Sequence, residues 1–344
     1  MAYTTIDDPG LFFNTKLYTG NGSTGQSITG VGFEPSLTWL KLRSTTGNHG
    51  LFDAVRGATK RLQANQTNAE DTIASFASFD SDGFTLSEAS QNNSGETFAS
   101  WNWKAGTSFT NDASATGIGT IDSSGSASDT SGFSIVSYTG TGSAGTIKHG
   151  LSSAPSMIIA KNRSATGNWR VYHKSLGEDY LIQLDLTGAA LDNATWNDTA
   201  PTSSVFSISS VADVNGSGNS IIAYCFADVQ GFSKFGSYTG NGSTDGTFVY
   251  TGFKPAFVIF KKTSSTANWS IRDNKRDPFN AGDTNLFANL SDVESSSNNL
   301  DFLSNGIKLR NAGSNWNSSS ASYIFMAFAE APFVTSTGVP ATAR

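Results

Sequence analysis

Cysteine and histidine are scarce in this chain of 344 residues, and their scarcity excludes several kinds of site. The one cysteine, Cys225, has no partner for an internal disulfide, and it lies in the apolar run Ile221–Ala227, which predicts a buried and chemically silent thiol. The three histidines, His49, His149 and His173, have neither metal-ligand spacing nor a cysteine pair nearby. The sequence therefore predicts no metal centre and no cofactor.

Charged side chains are also few, at 15% of the residues against about 25% in an ordinary globular domain. The formal net charge of −6 argues against nucleic acid as a partner, since nonspecific affinity for nucleic acid comes from Lys and Arg that neutralise phosphates. No run approaches the ~20 apolar residues of a membrane span, and residues 1–8 lack the basic and apolar parts of a signal peptide. We therefore expect a protein made in the cytoplasm, without membrane insertion or a cleaved signal.

What the chain has instead is one block that occurs three times in an ungapped register. Each copy opens on a Tyr-Thr-Gly segment, and a proline, a lysine and an asparagine follow at fixed offsets. The tyrosines are Tyr18, Tyr138 and Tyr238, the prolines Pro35, Pro155 and Pro255, the lysines Lys41, Lys161 and Lys261, and the asparagines Asn48, Asn168 and Asn268. Such repetition predicts one structural unit in three tandem copies. It favours a structural or binding surface over an enzyme, because a catalytic centre is usually one asymmetric constellation.

Short apolar runs bounded by Gly, Asn, Ser and Asp predict an all-β protein with little helix. The segments 79–84 and 302–307 carry Asp-Gly and Asn-Gly dipeptides that are typical of hairpin turns. Each copy closes on an alternating strand, at 98–103, 222–226 and 323–328, and the alternation predicts one buried face.

The predicted organisation is three β-sandwich units of jelly-roll or lectin-like type. The bounds are 1–104 for the first unit, 105–131 for a Gly/Ser/Thr-rich linker, 132–230 for the second unit, 231–334 for the third unit and 335–344 for a C-terminal tail. Because no spacer separates the second unit from the third, we expect those two to pack tightly together.

Motifs that carry chemistry are absent or have a simpler explanation. The segments 20–25 and 140–145 satisfy G-x-G-x-x-G, but β-like residues follow them instead of the helix that a dinucleotide site needs, so they predict hairpin turns. The nucleophile pattern G-x-S-x-G is missing, and no pair of carboxylates stands out as a glycosidase site. We therefore predict no catalytic residues.

Aromatic side chains give one candidate for ligand contact. His49, Trp169 and Trp269 occupy one equivalent position after a Ser/Thr-rich loop, and sugars stack their C–H faces on aromatic rings. The alternative for the two tryptophans is a core residue at the start of a strand. The repeated lysines are interpreted as solvated strand ends.

The three blocks, with the segments 231–243 and 323–333, resemble a repeat domain of unknown function found in virion proteins of marine tailed bacteriophages. The segments 13–20 and 51–60 are similar to the N-terminal unit of such proteins. The resemblance covers nearly the whole chain except 105–131 and the last ten residues. It implies a virion component of the tail, fibre or capsid surface, with no catalytic residues to carry over.

Three functions remain open at this stage. The first is a non-enzymatic virion protein, a tail fibre or surface appendage, that contributes to attachment to host-surface glycans, assembled with other virion proteins and, by analogy, as a homotrimer. The second is a purely structural capsid or tail decoration protein. The third is a glycan depolymerase, which needs a carboxylate pair in a groove.

Overall fold

The computed structural model describes residues 2–87, 90–313 and 315–342, with the backbone alone described at 297–299. The fold is nearly all β, with 44% strand and 4% helix, which confirms the predicted all-β class, while the three tandem sandwich units stay a prediction. The two short α-helices are α1 (Ala113–Thr116) and α2 (Ala212–Asn215), and single 3-10 turns lie at Pro9–Leu11 and Ala194–Trp196. Within the described residues no helix is long and apolar enough to cross a membrane.

The first third of the chain forms a four-stranded antiparallel sheet in the order β1-β9-β3-β4 and two smaller sheets, β2-β8-β7 and β5-β6. Its strands are β1 (Phe13–Thr19), β2 (Gln26–Thr29), β3 (Leu37–Leu42), β4 (Gly50–Asp53), β5 (Lys60–Arg61), β6 (Asp71–Thr72), β7 (Phe76–Asp80), β8 (Gly83–Leu86) and β9 (Thr97–Trp103). The strands β7 and β8 are the hairpin predicted at 79–84.

The second sheet has eight strands in the order β10-β11-β12-β19-β14-β15-β16-β17, and β13 pairs with β18 separately. Its strands are β10 (Thr107–Asn111), β11 (Ser123–Ser128), β12 (Phe133–Thr139), β13 (Gly145–Lys148), β14 (Met157–Asn162), β15 (Arg170–His173), β16 (Tyr180–Gln183), β17 (Leu191–Asp192), β18 (Val205–Ile208) and β19 (Ser220–Phe226).

The third sheet has eight strands in the order β20-β27-β22-β23-β24-β25-β26-β21. Its strands are β20 (Ser233–Thr239), β21 (Phe248–Tyr250), β22 (Phe253–Lys262), β23 (Ser270–Asp273), β24 (Gly282–Phe287), β25 (Ser295–Leu303), β26 (Gly306–Leu309) and β27 (Ser322–Pro332). One of the sheets curls into a nearly closed, barrel-like form. The strands β25 and β26 are the hairpin predicted at 302–307.

The three large sheets share one strand order, in which the opening strand lies beside the closing strand and the lysine-bearing strand follows on its other side. The opening strands are β1, β12 and β20, and the closing strands are β9, β19 and β27. Each repeated tyrosine faces a closing-strand residue directly, in the pairs Tyr18 with Phe98, Tyr138 with Ile221 and Tyr238 with Tyr323. The sequence block therefore corresponds to the same strands in each sheet.

One buried cluster joins side chains of all three large sheets. The closing strands supply alternate residues to it, such as Trp101, Tyr224 and Met326. The intervening residues face a second cluster on the other side of the sheet, as Cys225 does in the second sheet. The predicted single buried face is therefore wrong, because the closing strand lies between two apolar layers and must be apolar on both sides.

The segment 105–131, predicted as a linker, contains two strands. Residues 107–111 and 123–128 form β10 and β11, which pair with each other and extend the second sheet at β12. Small residues hid these strands, because Gly and Ser lack the β-branched and aromatic side chains by which strands are recognised in sequence. A close approach also requires Gly125, since a Cβ there would lie 2.0 Å from the carbonyl oxygen of Ile135.

Candidate functional site

The residues predicted to contact glycans lie in the interior. His49 and Trp169 are 0% exposed and Trp269 is 1% exposed. The indole Nε1 of Trp169 donates to the carbonyl of Gln63 at 2.9 Å, and that of Trp269 donates to the carbonyl of Gln183 at 2.8 Å. The prediction of glycan contact at these positions is therefore wrong, since no face of the rings is available to a sugar. Each indole instead joins its own sheet to the preceding part of the chain.

His49 makes the same kind of contact at the third boundary. Its Nδ1 accepts a hydrogen bond from Trp39 Nε1 at 2.8 Å, so the neutral ring carries its proton on Nε2. That nitrogen lies 3.0 Å from the carbonyl oxygen of Phe287 and 3.1 Å from that of Leu290. Burial, with a smaller effect of Lys41, lowers the pKa of His49 to about 3. The ring is therefore neutral at physiological pH and has the structural role of the two tryptophans.

The repeated lysines are buried as well. Lys41, Lys161 and Lys261 are each 0% exposed. Each Nζ donates to one carbonyl in its own third of the chain and to one carbonyl in another third. Lys41 donates to Leu42 and Ser291, Lys161 to Gly167 and Thr67, and Lys261 to Ala267 and Thr187. The interpretation as solvated strand ends is wrong. The ammonium group can be buried because these carbonyls replace water around it.

These contacts define three boundaries between the large sheets, which we call seams. Lys161 and Trp169 belong to the first-second seam, Lys261 and Trp269 to the second-third seam, and Lys41 and His49 to the first-third seam. Because the third part of the chain contacts the first as well as the second, the three sheets are arranged in a ring. The shared central cluster fills its middle.

Two of the seams contain buried ion pairs that sequence reasoning missed. Asp53 pairs with Arg56, and its Oδ2 accepts from the Tyr224 hydroxyl at 2.7 Å. Asp273 pairs with Arg276 at 2.6 Å, and its Oδ2 accepts from Trp101 Nε1 at 3.0 Å. Both acids are 0% exposed, so each link needs its arginine to remain charged.

In the second sheet the equivalent residue is His173, whose Nε2 lies 3.2 Å from the carbonyl oxygen of Phe325. Burial lowers the pKa of His173 to about 4, so this ring is neutral as well.

A buried asparagine holds each Tyr-Thr-Gly turn and was also missed. In all three copies its Oδ1 accepts from the turn backbone and its Nδ2 donates to the carbonyl of the turn serine. The asparagines are Asn92, Asn215 and Asn317, bonded to residues 21, 141 and 241 and to serines 23, 143 and 243. Each asparagine stands six residues before the closing-strand residue that faces the repeated tyrosine. This constant spacing was a signal in the sequence. The G-x-G-x-x-G segments are thus turns, but the prediction of hairpins is wrong, because they join β1 to β2 and β12 to β13, which lie in different sheets.

Chemical reactivity is limited in the part of the chain that the structure describes. Cys225 is fully buried, and burial raises the pKa of its thiol to about 12. Its burial was predicted, and its silence toward reagents stays a prediction. No group of three or more His, Cys, Asp or Glu residues is placed to hold a metal ion among the described residues.

A groove of about 490 Å³ that combines aromatic and polar groups lies where the second sheet ends and the third begins. It is lined in part by Tyr3, Lys174, Asp228, Lys234 and Tyr250. We call it the tyrosine groove. Tyr250 is 50% exposed, and the Nζ of Lys234 lies 5.1 Å from the centre of its ring.

Hydrogen bonds fix the tyrosine groove in shape. The hydroxyl of Tyr3 donates to the carbonyl of Gly252 and is hydrogen-bonded to Tyr250, and burial together with this contact raises the pKa of Tyr3 to about 12. Gly252, which also lines the tyrosine groove, has φ +83°, and a Cβ there would lie 3.1 Å from the Tyr3 hydroxyl. This position therefore requires glycine.

Charged groups of both signs line the same groove. Asp228 forms an ion pair with Lys174 and accepts from Ser156 Oγ at 2.7 Å. Lys234 has no carboxylate partner among the described residues. Hydroxyls, an ammonium group, a carboxylate and an exposed ring together suit a polar ligand with an apolar face, such as a saccharide.

Alternation in β21 was the sequence signal for this groove. Val249 is buried, so its neighbours Phe248 and Tyr250 point outward and are 43% and 50% exposed. The run Phe248-Val-Tyr250 is too short to be recognised as a strand on its own.

Residues 8–332 match the model of one family, described as Domain of unknown function (DUF7483). All three large sheets fall within this single match. No curated protein and no solved structure matches the chain.

Proposed function

The chain belongs to the DUF7483 family, whose function is unknown, and we propose that it is a non-enzymatic structural protein of a bacteriophage particle. In this proposal it is a tail fibre or surface appendage built from three duplicated β-sandwich units, and it contributes to attachment to host-surface glycans. Other virion proteins are its partners, and it assembles as a homo-oligomer.

The observation that carries the proposal is the ring of three sheets around one core. Equivalent lysines, equivalent Trp or His residues and equivalent turn asparagines recur at each seam or sheet, and all of them serve packing. Such a body is rigid and repeats its contacts, which suits a particle component better than an enzyme. The resemblance in sequence to virion proteins supports the same conclusion.

The tyrosine groove is our candidate for the glycan contact. Its exposed ring, hydroxyls and charged groups have the chemistry that a saccharide requires, whereas the recurring Trp and His residues are buried. Because this groove occurs where the second and third sheets meet and includes Tyr3, it is one site per chain. Avidity would then come from several copies of the chain on one particle.

A purely structural decoration protein is the second candidate, and one observation favours it. The position that carries His49, Trp169 or Trp269 in the three copies is buried in each of them. A protein selected for multiplied glycan contact inside one chain would show the opposite.

Two measurements test the proposal. Immunogold electron microscopy with an antibody to this chain should label intact phage particles, and particles that are never labelled would reject the virion assignment. For attachment, the double variant Tyr250→Ala and Lys234→Ala should reduce adsorption of the purified protein to host cells at least tenfold.

Tyr180→Ala serves as the matched control, because Tyr180 is also exposed, at 40%, but lies outside the tyrosine groove. Equal adsorption by both variants would favour the decoration protein.

A further inference from the structure

We propose that the outer edge of β1 docks one extended strand of small residues from another polypeptide. This interaction is independent of the glycan contact. It follows from a difference between the first and second sheets, in which one edge is covered by the chain itself and the equivalent edge is open.

The opening strands β1 and β12 occupy the same place in their sheets, next to the closing strand. In the second sheet, β11 pairs antiparallel with the outer edge of β12, and its residues Ser124, Ser126 and Ser128 face Ser137, Ile135 and Phe133. In the first sheet β1 is the last strand, and no described strand pairs with its outer edge.

The alternation of backbone hydrogen bonds along β1 shows which of its N–H and C=O groups face away from β9. Lys104 N donates to Phe12 O at 2.9 Å and Gly20 N donates to Glu96 O at 2.8 Å, so the even-numbered residues of β1 bond to β9. The N–H and C=O groups of Phe13, Thr15 and Leu17 therefore point away from β9. No described residue hydrogen-bonds to them.

The third sheet shows that such an edge is normally satisfied. There Ser233 exchanges backbone bonds with Val229, and Phe235 N donates to Asp228 Oδ1 at 2.9 Å. Among the described residues the chain thus covers the equivalent groups along all of β12 and at Ser233 and Phe235 N of β20, whereas it covers none of them in β1. Exposed strand edges of this kind pair readily with another strand.

A side chain at the same edge also lacks a partner. Thr15 is only 4% exposed, yet its Oγ1 makes no hydrogen bond among the described residues. It lies beside a groove of about 290 Å³ that Lys16, Leu17 and Lys275 also line. A strand lying in this groove would bring polar groups to the hydroxyl and to the free backbone groups together.

The internal pairing indicates the chemistry of the incoming strand. The residues of β11 are Ser-Ser-Gly-Ser-Ala-Ser, and Asp122 and Asp129 stand at its two ends. Small side chains let a strand lie close to an edge that is partly buried. The charges beside this edge are mixed, since Asp8 and Glu330 line the adjoining cavity together with Lys275, so they set no preference for charged flanks. We therefore commit to an extended, small-residue strand from a neighbouring protein.

The test uses the full chain and a fluorescein-labelled peptide with the sequence of residues 122–129. Binding is followed by fluorescence anisotropy, and amide hydrogen exchange is measured with and without the peptide. We expect exchange at Phe13, Thr15 and Leu17 to slow at least tenfold, while the amides of Phe133, Ile135 and Ser137, already paired with β11, change little.

Two N-methylated peptides provide the matched control. Methylation at the positions of Ser124, Ser126 and Ser128 blocks the face that would bond to β1 and should weaken binding at least tenfold. Methylation at the positions of Ser123, Gly125 and Ala127 should change binding less than twofold.

Three outcomes would overturn the proposal: no slowing at Phe13, Thr15 and Leu17, equal binding of the two methylated peptides, or protection of these amides that rises with protein concentration before peptide is added. The last would make a second copy of the chain the occupant.

Discussion

The three seams use one set of backbone contacts and differ in their side chains. At each seam a loop N–H donates across the boundary at 2.9 Å: Gly47 to Ser291, Gly167 to Thr67 and Ala267 to Thr187. A buried lysine reinforces each contact. These constant bonds set the geometry of the ring.

The variable side chains distinguish the seams from one another. Arg163 pairs with Glu70 at the first-second seam and Arg43 pairs with Glu294 at the first-third seam. At the second-third seam the equivalent residues are Thr263 and Ala190, which cannot form an ion pair. The ring therefore closes without this pair, so the ion pairs add stability to a geometry that the backbone and the lysines already define.

The largest effect should come from removing a seam tryptophan. Trp169→Ala deletes a fully buried ring and its bond to Gln63, and we expect it to lower the free energy of unfolding by about 3–5 kcal/mol. Trp169→Phe keeps most of the buried area and should cost clearly less. Chemical denaturation measures both. Equal and small losses would show that the seam repacks around the cavity.

The sequence predicted the strands better than their surroundings. Offsets of Tyr, Pro, Lys and Asn identified equivalent strands, and alternation identified the closing strands, because both are local patterns. Burial of Lys41 and His49 depends instead on the loop around Ser291 and Phe287, about 240 residues away along the chain. No local pattern shows that a distant loop supplies carbonyls to a buried ammonium group.

Groups outside the repeats were hidden for the same reason. Tyr3 and Tyr250 line the same groove although they are far apart in the sequence. Neither belongs to the repeated block. The strands β10 and β11 were missed because their small residues give no apolar signal. Pairing with β12, and not intrinsic preference, makes them strands.

The second prediction concerns acid and separates the first-third seam from the two tryptophan seams. Burial lowers the pKa of His49 to about 3, below the ~6.5 of an unfolded histidine. The unfolded state therefore binds more protons below pH 6.5, so stability present at pH 7 is lost as the pH falls. For one residue the loss between pH 6.5 and 5 is about 2 kcal/mol.

His49→Gln keeps a donor and an acceptor but does not titrate. Between pH 6.5 and 5, the variant should lose about 2 kcal/mol less of its unfolding free energy than the unmodified protein loses. His149 and His173, whose pKa values burial lowers to about 4, titrate in both proteins, so the difference isolates His49. If the unfolding free energies of the two proteins fall in parallel as the pH is lowered, folding does not lower the pKa of His49.

The third prediction compares Asp185 with its equivalents Asn65 and Asn289. All three accept a backbone bond from the seam residue, but only the asparagines donate onward, to Asn48 and Asn268. Asp185 Oδ2 is buried without a hydrogen-bond partner, and burial raises the pKa of this carboxyl to about 6.

Asp185→Asn should therefore stabilise the protein by about 1–2 kcal/mol at pH 7. The sign follows from the raised pKa: the cost of the ionised carboxylate is full above pH 6 and absent below about pH 4, so the gain should disappear in acid. Thermal melting at both pH values measures it. Asp192→Asn, at an exposed position, is the control and should change little.

The smallest expected effect restores the missing ion pair. Ala190 N donates to Thr263 O at 3.0 Å just as Glu294 N donates to Arg43 O at 3.0 Å, so Ala190 and Thr263 occupy the places of Glu294 and Arg43. The double variant Ala190→Glu with Thr263→Arg should raise the free energy of unfolding by at most about 1 kcal/mol, because the site is partly exposed and the pair is screened. Arginine is chosen because its guanidinium can bond the carboxylate through two N–H groups, as Arg43 bonds Glu294 at 2.9 and 2.7 Å.

The double variant Ala190→Gln with Thr263→Arg controls for side-chain size. The gain should shrink in high salt. If the two double variants melt alike in low salt, the ion pairs at the other two seams contribute nothing that the shared backbone contacts do not already provide.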